Sequence, residues 1–195
     1  MADPAVRRAT YQDVLEAPAH KVAEIVDGVL HVSPRPAKPH ALAASALGGE
    51  LIPPFRRGRG GPGGWFIIDE PELHLDADVV VPDLAGWRCQ RMPVLTVDEP
   101  YFILVPDWIC EVLSPSTAKL DRAEKLPIYA RAEVRHAWLV DPVLRTLEVL
   151  RLERGRWVLL DTYHDDARVR AEPFEVFELE LDALWAGVQL AEPPR

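Results

Sequence analysis

The stretch Asp107-Trp-Ile-Cys-Glu-Val-Leu-Ser114 decides the fold, because it places an acid inside an otherwise apolar run. Its apolar residues are nearly continuous, which is typical of a strand covered on both faces. Glu111 lies in the middle of that run. A buried, ionised carboxylate is strongly unfavourable unless a cation, a metal ion or a set of hydrogen-bond donors meets it. The sequence therefore predicts a partner for Glu111 on a neighbouring element.

A second short apolar strand upstream also ends on an acid. It is Asp78-Val-Val-Val-Pro-Asp83, and two buried strands that each deliver one carboxylate favour a site for a hard divalent cation. We expect Asp83 and Glu111 to share one Mg²⁺ (or Mn²⁺). Lys125, on the helix that follows, would orient or help deprotonate an attacking water, or neutralise charge in the transition state.

Each of these residues also has a simpler interpretation. Glu111 could be the buried partner of an arginine such as Arg131, and Asp83 could be only a turn or cap residue. Asp121 and Lys125 stand four residues apart with the acid first, the order of an ordinary helix ion pair worth about 0.2–0.5 kcal/mol.

The remaining pattern predicts a mixed α/β fold with a central mixed sheet, flanking helices and added β-hairpins. Residues 84–106 are expected to be loop-rich, with a short extended piece at 102–105. The other predicted elements are a helical turn near 13–17, a hairpin around Asp27-Gly28, a helix at 39–52, strands at 65–68, 73–75, 79–81 and 107–113, a helix at 118–132 with a kink or restart at Pro127, a strand at 134–140, a hairpin around 153–155, and one strand and a short helix within 172–185.

Two features of these elements bear on function. Glu24 precedes the first hairpin turn and could be an exposed edge-strand acid.

The loop after the first long helix, residues 56–64, is flexible by composition and holds the densest basic cluster of the chain, Arg56, Arg57 and Arg59. These arginines are candidates for binding nucleic-acid phosphates, although a solvated loop is the commoner outcome.

Composition narrows the class of protein. A chain of 195 residues is long enough for one domain with a full core. It has no apolar run near 18 residues and no secretory signal pattern, so we expect no membrane span and a reducing cytoplasm, with two cysteines that form no disulfide framework. The net charge of −9 argues against broad non-specific binding of nucleic acid, yet allows a local basic face.

The chain resembles the Uma-two family of restriction-endonuclease-like proteins, within the PD-(D/E)XK nuclease superfamily, from about residue 20 to 152. The motifs that carry the resemblance are Glu24-Ile-Val-Asp-Gly28, Val81-Pro-Asp83, Glu111-Val-Leu-Ser-Pro-Ser-Thr117, Asp121 with Lys125 and Tyr129, and Trp138-Leu-Val-Asp-Pro142. The resemblance implies one restriction-endonuclease-like domain over 1–195, with an N-terminal segment 1–20, a core 21–152 and a C-terminal extension 153–195.

The resemblance also implies roles for individual residues. Asp83 would take the place of the superfamily aspartate and Glu111 that of the acid in the third strand. The lysine expected two residues after that acid is Leu113 here, and Lys125 matches the helix lysine thought to substitute for it. Glu50 resembles an acid that some of these nucleases add to the site.

The leading hypothesis is a metal-dependent endonuclease that hydrolyses phosphodiester bonds in DNA, with a homodimer as the simplest way to cut both strands. The alternative is a catalytically weak or inactive nuclease-fold module that binds nucleic acid or a protein partner. A serine hydrolase is excluded, because the chain has no G-x-S-x-G elbow. Among the six histidines, His40 at the start of the first long helix is the strongest candidate ligand.

Overall fold

A computed structural model describes residues 7–96 and 98–188 of the chain. Two larger sheets, a two-stranded sheet of Arg168–Val169 and Leu179–Glu180, and a few helices make up the described fold, which is mixed α/β as predicted. The helices are α1 (Tyr11–Leu15), α2 (Lys38–Leu51), α3 (Ala118–Leu120), α4 (Leu126–Arg131) and α5 (Asp182–Trp185). The strands are β1 (Lys21–Val26), β2 (Val29–Pro34), β3 (Trp65–Asp69), β4 (Leu73–Leu75), β5 (Asp78–Val80), β6 (Leu84–Arg88), β7 (Trp108–Val112), β8 (His136–Asp141), β9 (Thr146–Glu153), β10 (Arg156–His164), β11 (Arg168–Val169) and β12 (Leu179–Glu180).

The larger sheet has six strands in the order β10-β9-β8-β7-β6-β3. Only the β7–β8 pair is parallel, so the sheet is mixed. The smaller sheet has the order β2-β1-β5-β4 and is antiparallel throughout. β7 therefore lies in the middle of the larger sheet, as the apolar run around Glu111 predicts.

Both faces of the six-stranded sheet are buried by other elements. On one face, α2 and the C-terminal segment pack on three tryptophans of the sheet, Trp65, Trp108 and Trp138. On the other face lie α4 and the smaller sheet. Trp108, Ile109, Cys110 and Val112 are fully buried, which confirms that β7 is covered on both sides. Glu111 shares its face with Ile109, because side chains alternate along a strand.

The prediction of a loop at residues 84–106 is wrong at its start. Leu84–Arg88 is β6, a central strand between β7 and β3. Gly86 obscured the strand pattern, since glycine is disfavoured in strand interiors. The structure shows why glycine stands there: a Cβ at this position would lie 3.1 Å from the Trp108 ring and 3.3 Å from the Trp65 ring.

Both long helices contain a widened π-type turn beside prolines. Ile52–Arg56 continues α2 through Pro53 and Pro54, so the helix does not stop at those prolines as predicted. Asp121–Lys125 joins α3 to α4, directly before Pro127. Pro53 and Pro54 stand at the start of the wide turn itself and Pro127 is the second residue of α4, so each lies in a first turn, where the missing N–H of proline is best tolerated. We call residues 118–131 the site helix.

The other predicted elements are present within a few residues of their expected bounds: the turn at α1, the β1–β2 and β9–β10 hairpins, strands β3, β4, β5 and β8, and α5. The Gly-rich loop folds back on the prolines, since Arg59 N–H donates to Pro53 O and Gly63 N–H to Pro54 O. No helix in the described ranges is long and apolar enough to cross a membrane. The division into segments 1–20, 21–152 and 153–195 stays a prediction, and its residues 1–6 and 189–195 lie outside the described part.

Two glycine-to-alanine substitutions should shift stability in opposite directions. Gly86→Ala should lower the free energy of unfolding by about 1–3 kcal/mol, because the new methyl group overpacks two buried tryptophan rings. Gly49→Ala should raise it by up to about 1 kcal/mol, because nothing lies within 4 Å of that helical position. Urea unfolding measures both. Equal effects of the two substitutions would contradict the packing described for β6.

Candidate active site

One cavity collects most of the ionisable residues singled out by the sequence. It has a volume of about 180 Å³. It opens between the β1–β2 hairpin, the start of α2, the segment that joins β5 to β6, the end of β7 and the site helix. The ionisable side chains of the predicted site that line it are Glu24, His40, Asp83, Glu111, Asp121 and Lys125. The structure therefore brings together acids from separate stretches of the chain around a single lysine.

Lys125 is the centre of this cluster. Its Nζ lies 2.8 Å from Glu24 Oε1 and 2.9 Å from Glu111 Oε1, and it donates to the Val81 carbonyl oxygen at 3.1 Å. The residue is only 2% exposed. Burial lowers the pKa of this ammonium, but Glu111 and Glu24 together raise it by more, so its pKa stands well above the ordinary value. Lys125 is therefore a buried cation shared by two carboxylates.

The widened turn Asp121–Lys125 presents both of its end residues to the cavity. Asp121 and Lys125 are buried while the residues between them are not. Asp121 Oδ1 is 3.8 Å from Lys125 Nζ, so the predicted helix pair exists but is the longest of the lysine's three ion pairs. Wide turns of this kind are frequent at functional sites, and here one adds the lysine to the acids of the strands.

Glu111 is held from two sides. Besides Lys125, the hydroxyl of Tyr129 donates to its Oε1 at 2.6 Å. Burial raises the pKa of the Glu111 carboxyl, and Lys125 opposes that shift. Arg131 is not its partner, so that interpretation is wrong: Arg131 instead pairs with Asp27 and Asp78. Tyr129, one turn beyond Lys125, is a site residue to which the sequence analysis assigned no role, although its spacing from Lys125 was a usable signal.

Asp83 lies beside Glu111 because of the β6–β7 register. Leu84 is opposite Cys110, which places the residue before β6 next to the following residue of β7. Asp83 Oδ2 accepts a hydrogen bond of 2.6 Å from the Val112 N–H, and Oδ1 lies 3.2 Å from His40 Nε2. The carboxylate thus ties the start of β6 to β7 and is more than a turn residue.

The structure places Glu24 in the cluster around Lys125 and Glu50 outside the cavity. Glu24 is 4% exposed, and its Oε1 accepts from the Val81 N–H at 2.8 Å besides contacting Lys125, so the interpretation as an exposed edge acid is wrong. Glu50 lies near the far end of α2 and does not line the cavity.

The basic loop lies away from the cavity, whereas three hydroxyl side chains line it. Arg56, Arg57 and Arg59 lie at the opposite end of α2 from His40, so the structure does not bring them to the acids. Three hydroxyl side chains line the cavity instead, on the turn that starts the site helix: Ser114, Ser116 and Thr117. In the sequence, this turn indicates only the start of a helix.

Asp83 and Glu111 would supply a hard divalent cation with only one or two protein ligands, so most of its shell would be water. Four carboxylates face one ammonium, which leaves an excess of negative charge. Glu111 Oε2 accepts no hydrogen bond within the described residues. In these same ranges, no group of three or more His, Cys, Asp and Glu side chains is arranged to hold a metal ion. Mg²⁺ commonly binds proteins through one or two carboxylates, with water and phosphate oxygens completing its shell.

Comparisons with known proteins identify the family and the fold. The family model Uma2, described as "Putative restriction endonuclease", matches residues 9–183. A crystal structure described as "a putative nuclease belonging to DUF820" from Anabaena variabilis ATCC 29413 superposes with a TM-score of 0.69 at 20% identity, covering 91% of this chain and 98% of that one. This likeness concerns the fold. A comparison with curated proteins found no match.

Removing the central cation should strongly destabilise the fold. Lys125→Met leaves Glu24 and Glu111 buried without their counter-charge, so we expect the free energy of unfolding to fall by about 3–5 kcal/mol. Lys119→Met is the matched control, because Lys119 is an exposed lysine of the same helix. Urea unfolding at neutral pH measures both. A loss below about 1 kcal/mol for Lys125→Met would show that the carboxylates are not held by the ammonium.

Asp121 should make stability depend on pH. Burial raises its pKa to about 6 from 3.8, so the folded state binds this proton more tightly than the unfolded state. That contribution is present below about pH 4 and is lost as the pH rises through 6. Between about pH 4 and about pH 7.5, the wild type should therefore lose about 2 kcal/mol relative to Asp121→Asn. Parallel pH profiles of the two proteins would contradict this, and exposed Asp166→Asn is the control.

Proposed function

Because the chain belongs to the Uma2 family, we propose that it is a metal-dependent endonuclease that hydrolyses phosphodiester bonds in DNA. The observation that supports this most directly is the cavity in which Asp83 and Glu111 lie side by side with Lys125 bound to Glu111. A phosphodiester resists hydrolysis because the attack brings anionic groups together. A site for that reaction needs positive charge and a means of activating water, at a place that admits the backbone of the substrate.

Asp83 and Glu111 would hold the metal ion. When bound, Mg²⁺ or Mn²⁺ polarises the phosphate and lowers the pKa of a coordinated water. Glu111 has Oε2 for this role, since Oε1 is taken by Lys125 and Tyr129. The pKa of Tyr129 is raised by burial and by Glu111, so its hydroxyl keeps its proton and fixes the Glu111 carboxylate in one orientation. His40 Nε2 lies 3.2 Å from Asp83 Oδ1, beside the second carboxylate.

Lys125 acts in this proposal as a fixed positive charge. Its raised pKa keeps it protonated at neutral pH, which disfavours the role of a base that removes a proton from water. A buried ammonium beside the reacting phosphate instead stabilises the negative charge that develops in the transition state. In this proposal Lys125 supplies the positive charge that a lysine at position 113 would have supplied. The widened turn brings its Nζ to Glu111, the acid of β7.

One observation favours a different function, a nuclease-fold module that binds without cutting. Lys125 takes one oxygen of Glu111 and one of Glu24, so the protein itself supplies part of the charge that a metal ion would supply. The two functions differ in a direct assay.

The enzyme should nick or linearise supercoiled DNA only with Mg²⁺ or Mn²⁺ present. Asp83→Asn and Glu111→Gln should each lower the rate by at least about 100-fold, as expected for loss of a group that stabilises the transition state. Substitution of two exposed acids, Asp166→Asn and Glu175→Gln, gives matched controls that should retain the wild-type rate. The rate constant for loss of supercoiled substrate measures the effect.

Three results would count against the proposal. Cutting that survives in Asp83→Asn and Glu111→Gln would place the activity elsewhere or in a contaminant. Cutting that persists after removal of divalent cations would exclude the metal role. A wild type that binds Mn²⁺ in calorimetry and DNA in solution, yet cuts neither supercoiled nor single-stranded DNA, would favour the binding module.

A further inference from the structure

Three arginines of the Gly-rich loop are not neutralised by acids. Arg56, Arg57 and Arg59 are exposed and form no ion pair with residues 7–96 or 98–188. Acids are abundant in a chain of net charge −9, and many other arginines do pair with them: Arg7, Arg35, Arg91, Arg122, Arg131, Arg151, Arg168 and Arg170. Arg135, Arg154 and Arg156 are also exposed without an ion pair in the described ranges, but only the loop places three such arginines within four residues of one another.

Hydrogen bonds and close packing hold the backbone of the loop in place. Its backbone donates to successive carbonyl oxygens of the wide turn, from Arg57 to Ile52 (3.2 Å), Arg59 to Pro53 (2.8 Å) and Gly63 to Pro54 (2.9 Å). Gly61 is packed so tightly that a Cβ there would lie 2.5 Å from Pro54 Cβ. A loop fixed in this way loses little conformational entropy when its arginines bind a ligand.

The loop lies a defined distance from the cavity. The 14-residue helix α2 is about 21 Å long, with His40 in its first turn and the loop after its far end. The length of β6 gives a second estimate of this distance. Asp83 precedes β6, and Arg88 at its end lies opposite Trp65, so Asp83 and Arg88 are about 17 Å apart at about 3.3 Å per residue. Cys89 N–H donates to Gly64 O, so the end of β6 and the loop are in contact.

The surface between the two ends of α2 is small and uncharged. Its exposed stripe consists of Ala41, Ser45, Gly49 and Pro53, spaced four residues apart. Lys38 is exposed at the cavity end of the stripe and the loop arginines are exposed at the other. The four side chains of the stripe are small and carry no charge, which lets a nucleic-acid backbone approach them closely, with half-buried Glu50 beside the stripe near its far end.

We propose that Arg56, Arg57 and Arg59 bind phosphates of the same DNA molecule whose phosphodiester lies in the cavity, about five or six base pairs away at about 3.4 Å per base pair. This inference rests on the proposed function and adds to it a second phosphate-binding site, remote from the cavity, that positions the duplex. Guanidinium groups match phosphate geometry, and such contacts position DNA without reading its sequence. The loop arginines are positioning residues, since they do not reach the reacting atoms.

The test compares two triple variants of the full chain that remove the same number of positive charges. Arg56, Arg57 and Arg59 are changed to Gln in one. Arg135, Arg154 and Arg156, exposed arginines around the β9–β10 turn at the other edge of the sheet, are changed to Gln in the other. Binding of a labelled duplex of about 30 base pairs, long enough to span both ends of α2, is measured by fluorescence anisotropy over a range of salt, with Ca²⁺ in place of Mg²⁺. Thermal unfolding confirms that both variants fold.

The loop variant should bind at least about tenfold more weakly near 0.1 M salt, and its salt slope should be flatter by about 2 to 3, at roughly 0.9 for each phosphate that the arginines no longer neutralise. The control variant should stay within about twofold of wild type, as expected if only the loop binds the duplex. Equal weakening in both variants, or none in the loop variant, would overturn the proposal. So would unchanged DNA binding together with abolished binding to phosphatidylserine vesicles, which would assign the loop to a membrane surface.

A small substrate separates this inference from the proposed function. Bis(p-nitrophenyl) phosphate offers a phosphodiester with no neighbouring phosphates, so the loop variant should hydrolyse it at the wild-type kcat/KM while its kcat/KM on DNA falls. A protein that cuts neither substrate but shows the loop-dependent salt slope would fail as a nuclease and keep the DNA-binding role of the loop. A loop variant whose activity falls equally on both substrates would overturn the remote phosphate site.

Discussion

The fold depends on one buried ammonium group that joins parts of the chain far apart in sequence. Lys125 of the site helix contacts Glu24 of β1 and Glu111 of β7, and donates to the carbonyl of Val81 between β5 and β6. These contacts connect the smaller sheet, the larger sheet and the helix at one point. Each carboxylate would be unfavourable where it lies without the lysine, so the arrangement requires all three elements to be in place at once.

The need for a counter-charge beside a buried acid explains which residues of the site the sequence could indicate. Glu111 was conspicuous because an acid interrupts an apolar strand, and a buried acid must have a partner. Spacing indicated Lys125 and Asp121 as neighbours, yet it could not show that a widened turn would aim both at the strands. Glu24 seemed ordinary beside a hairpin turn. Its burial depends on a helix that begins nearly a hundred residues later, and local pattern contains no information about that contact.

The features that sequence did not predict share a physical cause, which is packing between distant side chains. Gly86 reads as a strand breaker, although it is the residue that two tryptophan rings require at the centre of β6. Pro53 and Pro54 read as a helix stop, although the wide turn carries the chain past them. The hairpins and β7 were predictable, because their signals are local turn residues and continuous hydrophobicity.

The charge distribution also reconciles an acidic protein with a polyanionic substrate. Under the proposed function, the carboxylates of the cavity repel DNA, and a divalent cation that binds them would offset two of their negative charges at the point of chemistry. Attraction for the rest of the backbone would then come from the uncompensated arginines beyond the far end of α2. Under this arrangement, contacts remote from the scissile bond supply binding energy that can be used to position the phosphodiester. If the proposed function holds, a site built in this way would favour long nucleic acid over isolated phosphodiesters, even though the reacting groups would occupy only a small cavity.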